Sequence, residues 1–164
     1  MLRQPVEQRG TPKSRVRPPK TKSRPVIADL ASELKDVCNA WEDLNGELTE
    51  VFLSLESVSI DLDRASLLRQ ACYLLLSGGL SRSFGGKFSK IGVHLWTPSK
   101  GSCSFLLIAD DGQVGVGEPQ GPAVTCAQKI LTQAGCQLTF LPSRGVVWRI
   151  AIPRINEAEG QSEL

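Results

Sequence analysis

The chain has 164 residues, a length that suits one domain of ordinary size plus additional chain. Hydrophobic residues make up 41% of it, enough for one buried core, and no run of about 18 apolar residues predicts a membrane span. The N-terminus lacks the apolar segment of a secretory signal, and Pro5 and Pro12 would interrupt an amphipathic transit helix. These features argue against membrane-embedded and secreted classes of protein.

The net charge of +2 conceals an uneven distribution along the chain. Residues 1–25 carry eight Lys or Arg residues and one Glu, so that segment has a net charge of +7. The other 11 basic and 16 acidic residues give the rest of the chain a net charge of −5. Residues 1–26 are rich in proline and poor in large apolar side chains, which predicts a disordered basic tail. Two interpretations stay open: an arm for nucleic acid, an acidic lipid surface or an acidic protein, or a solubilising tail.

The five cysteines are odd in number, and no two of them form a C-x-x-C pair. Each lies in or beside an apolar run, where free cysteine behaves as a small hydrophobic residue. We therefore expect reduced thiols in the core, no metal site and a cytoplasmic location. The residues concerned are Cys38, Cys72, Cys103, Cys126 and Cys136.

An apolar pattern with heptad spacing follows the basic tail. Its members recur at alternating steps of four and three residues, the a/d spacing of a coiled coil. We predict an amphipathic helix over residues 27–56, capped near Asp29 and weakened at Gly46. The apolar stripe must be buried, either on the following domain or against a second chain, and the strict spacing favours homodimerisation or docking. The heptad positions are Leu30, Leu34, Val37, Trp41, Leu44, Leu48, Val51 and Leu55.

Residues 57–155 alternate between strand and helix signals. Strands are predicted at 57–62, 91–96 and 103–109 and on either side of Pro142–Gly145; helices are predicted at 64–76 and about 123–134. The fold class predicted is α+β, a two-layer α/β sandwich whose mixed sheet carries helices on one face, preceded by the long amphipathic helix. Residues 156–164 are predicted to be a flexible acidic C-terminus.

Several short motifs occur in a fixed order along this domain. They are a strand at Ile91–Leu95, D-x-G at Asp110–Gly112, G-x-A at Gly121–Ala123, Gly135 ahead of Leu138, and a closing strand at 145–153. Together they resemble the ATP-binding (GHKL) domain of bacterial two-component sensor histidine kinases and decayed histidine phosphotransferases. The resemblance implies that Asp110 accepts a hydrogen bond from adenine. It also implies that Gly112, Gly121 and Ala123 lie beside the nucleotide.

The chain departs from this family where the metal and the phosphates bind. Leu74 and Gly78 align with a Glu and an Asn of the family, and that Asn holds magnesium. If the alignment is shifted by one residue, Ser77 instead of Gly78 takes the position of the Asn. Leucine and glycine have no side-chain oxygen for magnesium, and Pro122 removes a backbone N–H near the phosphates. Only eight residues separate Gly112 from Gly121, which is short for a lid over ATP. The resemblance therefore implies a degenerate pocket.

The single histidine does not fit a phosphoacceptor. His94 falls within the predicted strand at 91–96, whereas phosphotransfer needs a solvent-exposed histidine on a helix. We interpret His94 as a structural or surface residue of the strand. The three tryptophans, Trp41, Trp96 and Trp148, are interpreted as core or sheet-face residues.

The sequence thus predicts a non-catalytic signalling adaptor or regulator, a homodimer without a catalytic residue or an expected cofactor. Its partner would be a histidine kinase, a response regulator or a similar protein of a two-component pathway. Two alternatives stay open. One is a histidine-kinase-like protein with residual ATP and magnesium binding, and the other is a nucleic-acid-associated protein that uses residues 1–25.

Overall fold

The computed structural model describes residues 25–46, 49–80, 89–111, 120–143 and 145–154. The predictions for the basic tail and the acidic C-terminus, and those for Leu48 and Gly112, lie outside these ranges.

The described residues form strands, α-helices and one π-helical turn. The helices are α1 (Leu30–Asn45), α2 (Leu62–Leu74), which continues into the π-helical turn Leu75–Gly79, and α3 (Pro122–Gln133). The strands are β1 (Ile27–Asp29), β2 (Thr49–Leu55), β3 (Ser59–Asp61), β4 (Ser89–Trp96), β5 (Cys103–Asp110), β6 (Gln137–Ser143) and β7 (Gly145–Pro153). No helix among the described residues is long and apolar enough to cross a membrane.

Five strands form one mixed sheet in the order β2-β4-β5-β7-β6. β2 pairs with β4 in parallel, and the other neighbours are antiparallel. β1 and β3 form a separate two-stranded antiparallel ribbon. The prediction of an α+β two-layer sandwich with a mixed sheet is confirmed.

The core lies between one face of this sheet and the helices. Every second residue of β5 is buried, as expected for a strand with one covered face. Apolar residues of β4, β5 and β7 form the sheet side of the core, and residues of all three helices form the other side. The largest fully buried side chains include Leu30, Leu34, Leu68, Ile91, Leu106, Leu131, Trp148 and Ile150.

The predicted helix over residues 27–56 is wrong in its second half. α1 ends at Asn45, and Thr49–Leu55 is the edge strand β2. The heptad spacing misleads because Val51 and Leu55, four residues apart, share a face in a strand as well as in a helix. β-branched and aromatic residues favour the strand, which pairs with β4 along seven residues.

Asp29 starts a helix as predicted, Asp61 starts a second helix, and the strand predicted ahead of that second helix is much shorter. Asp29 Oδ1 accepts a hydrogen bond from Ala31 N at 3.3 Å and caps α1. Asp61 Oδ1 accepts one from Arg64 N at 2.9 Å and caps α2. Of the strand predicted at 57–62, only Ser59–Asp61 is extended, and it pairs with β1 rather than with the main sheet.

The cysteines divide by burial. Cys38, Cys72 and Cys136 are buried as predicted, whereas Cys103 is half-buried and Cys126 is exposed. The expectation of five core thiols is wrong for Cys126, because α3 buries its opposite side, through Val124, Ala127 and Leu131.

Candidate functional site

The predicted adenine-binding aspartate lies at the end of β5, on the sheet face that carries the helices. Asp110 is buried, and its Oδ1 accepts a hydrogen bond from Val146 N at 3.0 Å. Gly145 makes this contact possible, because a Cβ at that residue would collide with the Asp110 carbonyl oxygen, and its φ of +100° suits glycine. The carboxylate is therefore fixed against the first residues of β7.

The second aspartate of the D-x-G motif has a different role. Asp111 is exposed, and its Oδ1 accepts a hydrogen bond from Lys90 N at 2.8 Å. Its own N–H donates to the Lys90 carbonyl at 3.1 Å. Asp111 thus extends the contact between β4 and β5 by one residue.

The G-x-A motif begins α3. Gly121 precedes the helix with a φ of +155°, and Pro122 is its first residue. Proline is well suited to that position, but it supplies no N–H to an anion. The Gly121 carbonyl oxygen accepts hydrogen bonds from Thr125 N and Thr125 Oγ1, each at 3.1 Å.

The start of α3 packs directly on the π-helical turn that ends α2. A Cβ built on Gly78 would lie 2.5 Å from the Cβ of Ala123, far inside any normal contact distance. Gly78 therefore has no room for a side chain. The position that aligns with the family's magnesium-holding asparagine is filled by Ala123.

The neighbouring residues offer no replacement for the missing metal ligand. Leu74 is half-buried and packs against the hydrophobic core. Ser77, the residue brought in by a one-residue slip, accepts a hydrogen bond from the Trp41 indole N–H at 3.2 Å, which directs its hydroxyl towards α1. Among the described residues, no group of three or more His, Cys, Asp or Glu side chains could hold a metal ion.

The described residues therefore do not fit a magnesium–ATP complex. Asp110 is present at the predicted adenine position, but the predicted phosphate position has an apolar side chain at Leu74, no free volume at Gly78 and a proline at the helix start. Hard magnesium requires oxygen ligands, which these residues cannot supply through their side chains.

Two cavities on the helix layer include Leu74 and Ser77 in their walls but not Asp110, Gly121 or Ala123. One, of about 570 Å³, lies between α1, α2 and α3; the other, of about 530 Å³, lies between the ends of α1 and α2. Tyr73 lines both, and none of the residues predicted to bind nucleotide lines either. Leu44, the most exposed large apolar residue of the described chain at 75%, borders the second cavity.

The structure separates the predicted docking residues into two groups. Leu30, Leu34, Val37 and Trp41 are buried in the core of the same chain. Leu44 is exposed, and Val51 and Leu55 are half-buried on β2. The heptad positions therefore do not form one free apolar face.

Sequence reasoning missed the close approach of Gly78 and Ala123 and the position of Tyr73. The small residues at the end of α2 and the start of α3 were the available signal, because helices approach closely only where side chains are small. Nothing in the pattern around Tyr73 distinguishes it from a core residue of α2.

No known family profile and no curated protein sequence matches the chain. Solved structures do match, and they define its fold as that of the histidine-kinase catalytic, ATP-binding domain. At 13–18% identity this likeness concerns the fold alone.

Three of these structures illustrate the match. The histidine kinase domain of the blue-light activated kinase EL346 from Erythrobacter litoralis is 17% identical with a TM-score of 0.65, and the match covers 76% of this chain and 61% of that domain. The Acinetobacter baumannii histidine kinase AdeS is 17% identical with a TM-score of 0.62, over 82% of this chain and 71% of that one. The histidine kinase domain of the E. coli osmosensor EnvZ is 17% identical with a TM-score of 0.54, and the match covers 88% of this chain and 99% of that domain. The chain thus spans about three fifths of the Erythrobacter domain.

Proposed function

We propose that this chain is a non-catalytic signalling adaptor or regulator that uses a histidine-kinase-type fold as a scaffold for protein binding. The observation that carries this proposal is the contact between Gly78 and Ala123, which fills the place of the metal-holding side chain. A domain that cannot position magnesium beside the phosphates lacks the electrostatic stabilisation on which phosphoryl transfer depends.

The partner is a protein of a two-component-type pathway, such as a histidine kinase or a response regulator. The likeness of the fold to histidine kinases supports this class of partner, although the fold does not by itself determine function. A cytoplasmic location belongs to the same proposal. The buried, unpaired thiols of Cys38 and Cys72 support it, because an oxidising compartment favours disulfides.

Homodimerisation also stays a proposal, but the surface that would carry it is different from the one predicted. Most of the described heptad positions are used inside the chain, but Leu44 and Tyr73 are exposed apolar residues of the helix layer. They border one concave surface, which suits an isologous contact in which Leu44 of one copy enters the cavity of the other.

Sedimentation analysis of the full chain tests the dimer. Leu44→Asp should shift the mass from dimer to monomer, because a carboxylate cannot be buried in an apolar contact without a partner. The matched control is Leu62→Asp, an exposed leucine at the start of α2. A monomeric wild-type chain, or a dimer that Leu44→Asp leaves intact, would contradict this surface.

Residual nucleotide binding is the second candidate, and the buried Asp110 carboxylate favours it. Thermal unfolding distinguishes the adaptor proposal from residual nucleotide binding, because a ligand that binds only the folded chain raises the melting temperature of that chain. The adaptor proposal expects no rise that depends on magnesium and ATP together. A rise with nucleotide alone that disappears in Asp110→Asn would support residual adenine binding instead.

A further inference from the structure

The sheet has a second face, directed away from the helices, and it carries aromatic side chains. Phe52 and His94 are exposed on it, and Trp96 and Phe105 are half-buried. These residues alternate along their strands with the core residues, so their side chains lie on the opposite side of the sheet from the three helices.

Three of these side chains lie in a row that ends at Arg149, and we call the four residues the aromatic patch: His94, Trp96, Phe105 and Arg149. The ring centroids of His94 and Trp96 are 4.9 Å apart. Those of Trp96 and Phe105 are 5.5 Å apart with the rings 30° from parallel. The guanidinium carbon of Arg149 lies 5.8 Å from the centre of the Phe105 ring. A row of π surfaces thus ends on a cation.

A second ring and cation lie on the same face. The Lys90 ammonium lies 5.7 Å from the centre of the Phe52 ring. Gly92 pairs with both Phe52 and Ala109, and a Cβ at Gly92 would meet nothing within 4 Å. This part of the face is therefore flat and open beside the aromatic patch.

The basic N-terminal segment enters the domain beside the start of α2, where Val26 O accepts a hydrogen bond from Leu62 N at 2.8 Å. It meets the described chain at Pro25, and Asp29 nearby accepts hydrogen bonds from Ser57 Oγ and Val58 N, both at 3.1 Å. Glu56, the residue before Ser57, accepts one from Thr97 N at 2.8 Å, next to Trp96. The net positive charge of residues 1–25 favours a polyanionic partner.

We propose that this outer sheet face binds single-stranded nucleic acid. Trp96 and Phe105 stack with bases, while Arg149 and Lys90 meet the phosphates. Aromatic side chains on an open sheet combined with cations are the recurrent means of holding unpaired bases. An acidic protein segment would match the cations but would not account for the row of rings. The inference concerns the face away from the nucleotide site and is independent of the adaptor role.

The test uses the full chain and a labelled oligothymidylate of about 12 nucleotides, with binding followed by anisotropy at low salt. Tryptophan fluorescence gives a second readout. Trp41 and Trp148 are buried, so quenching by stacked bases reports on Trp96. We expect single-strand binding that weakens as salt rises, tryptophan quenching, and weaker binding of the matching duplex, whose bases are already stacked.

Three variants locate the site. Trp96→Leu should remove the quenching and weaken binding at least about fivefold, the loss of one stacked base, and Phe105→Leu should weaken it similarly if Trp96→Leu fails to fold. Lys90→Gln should weaken binding and lower its salt dependence. Lys129→Gln is the matched control, because Lys129 is an exposed cation on α3 in the helix layer. It should change neither the affinity nor its salt dependence.

Other outcomes would overturn the proposal. One is binding weaker than about 100 µM at low salt for both the oligothymidylate and an oligouridylate. Another is binding that survives Trp96→Leu and Phe105→Leu unchanged but is lost when the eight basic residues of 1–25 become glutamine. Equal quenching by polyglutamate would assign the face to an acidic protein segment instead.

Discussion

Gly78 is the residue whose environment says most about the chemistry of this domain. Its lack of a side chain permits α2 and α3 to touch, at the point where the resembling kinases need a metal-holding asparagine. The consequence is structural as well as chemical, since restoring a side chain there must push the two helices apart.

Gly78→Ala should therefore destabilise the fold. Overpacking a tight contact costs about 1–3 kcal/mol, and Ala123→Gly in the same chain should recover part of that loss. Urea unfolding of the two single variants and the double variant measures the coupling. Gly92→Ala is the control, because its Cβ meets nothing within 4 Å. A neutral Gly78→Ala with no coupling to Ala123 would show that the helices do not touch there.

At the level of single residues, the sequence predicted positions within strands and helices better than contacts between distant residues. The order of the motifs located Asp110 at the end of a strand, and the structure buries it there. The close contact between Gly78 and Ala123 was signalled only by their small size, because they are 45 positions apart and their proximity depends on how α3 packs across α2. Such long-range contacts leave no periodic signal.

At the level of elements, α1 and β2 show what a heptad pattern can and cannot decide. The pattern predicted α1 correctly as far as Trp41, whose side chain is buried. Past Asn45 the spacing of four fits strand and helix equally, and the parallel pairing of β2 with β4 decides for the strand. Pairing with a strand 40 residues later is a tertiary contact that local pattern does not contain.

Burial of the α1 stripe inside the chain has a direct consequence for stability. Leu34→Ala should lower the free energy of unfolding by about 2–5 kcal/mol, because it removes a fully buried side chain. Lys35→Ala, on the same helix but exposed, should change it by less than about 0.5 kcal/mol. Chemical denaturation of both variants at several protein concentrations checks this. Similar small effects for both would mean that α1 does not pack on its own domain.

At the level of the whole molecule, the rate at which each cysteine reacts reports whether the helix layer is packed closely enough to exclude solvent. Cys126 is exposed and should react first with a thiol reagent in the native chain. Cys136 should react slowly, because burial raises the pKa of its thiol, an effect that the nearby Arg64 guanidinium only partly opposes. Contact with the Cys38 thiol and burial raise the pKa of Cys72 well above its ordinary value, so Cys72 should react only on unfolding.

Mass spectrometry of the chain during timed labelling checks this order. Cys126→Ser should remove the fast phase and leave the slow phases unchanged. Labelling of Cys72 as fast as Cys126 would mean that α1 and α2 are not packed together in solution.

The central proposal is that this chain keeps the histidine-kinase-type fold but does not form a magnesium–nucleotide site. Isothermal titration of the full chain with ATP and with ADP, each with and without magnesium, tests it most directly. We expect no binding that magnesium strengthens, since Leu74 and Gly78 supply no oxygen ligand and Ala123 fills the space. Micromolar ATP binding that requires magnesium and is lost in Asp110→Asn would contradict the claim and return the protein to the class of nucleotide-dependent kinases.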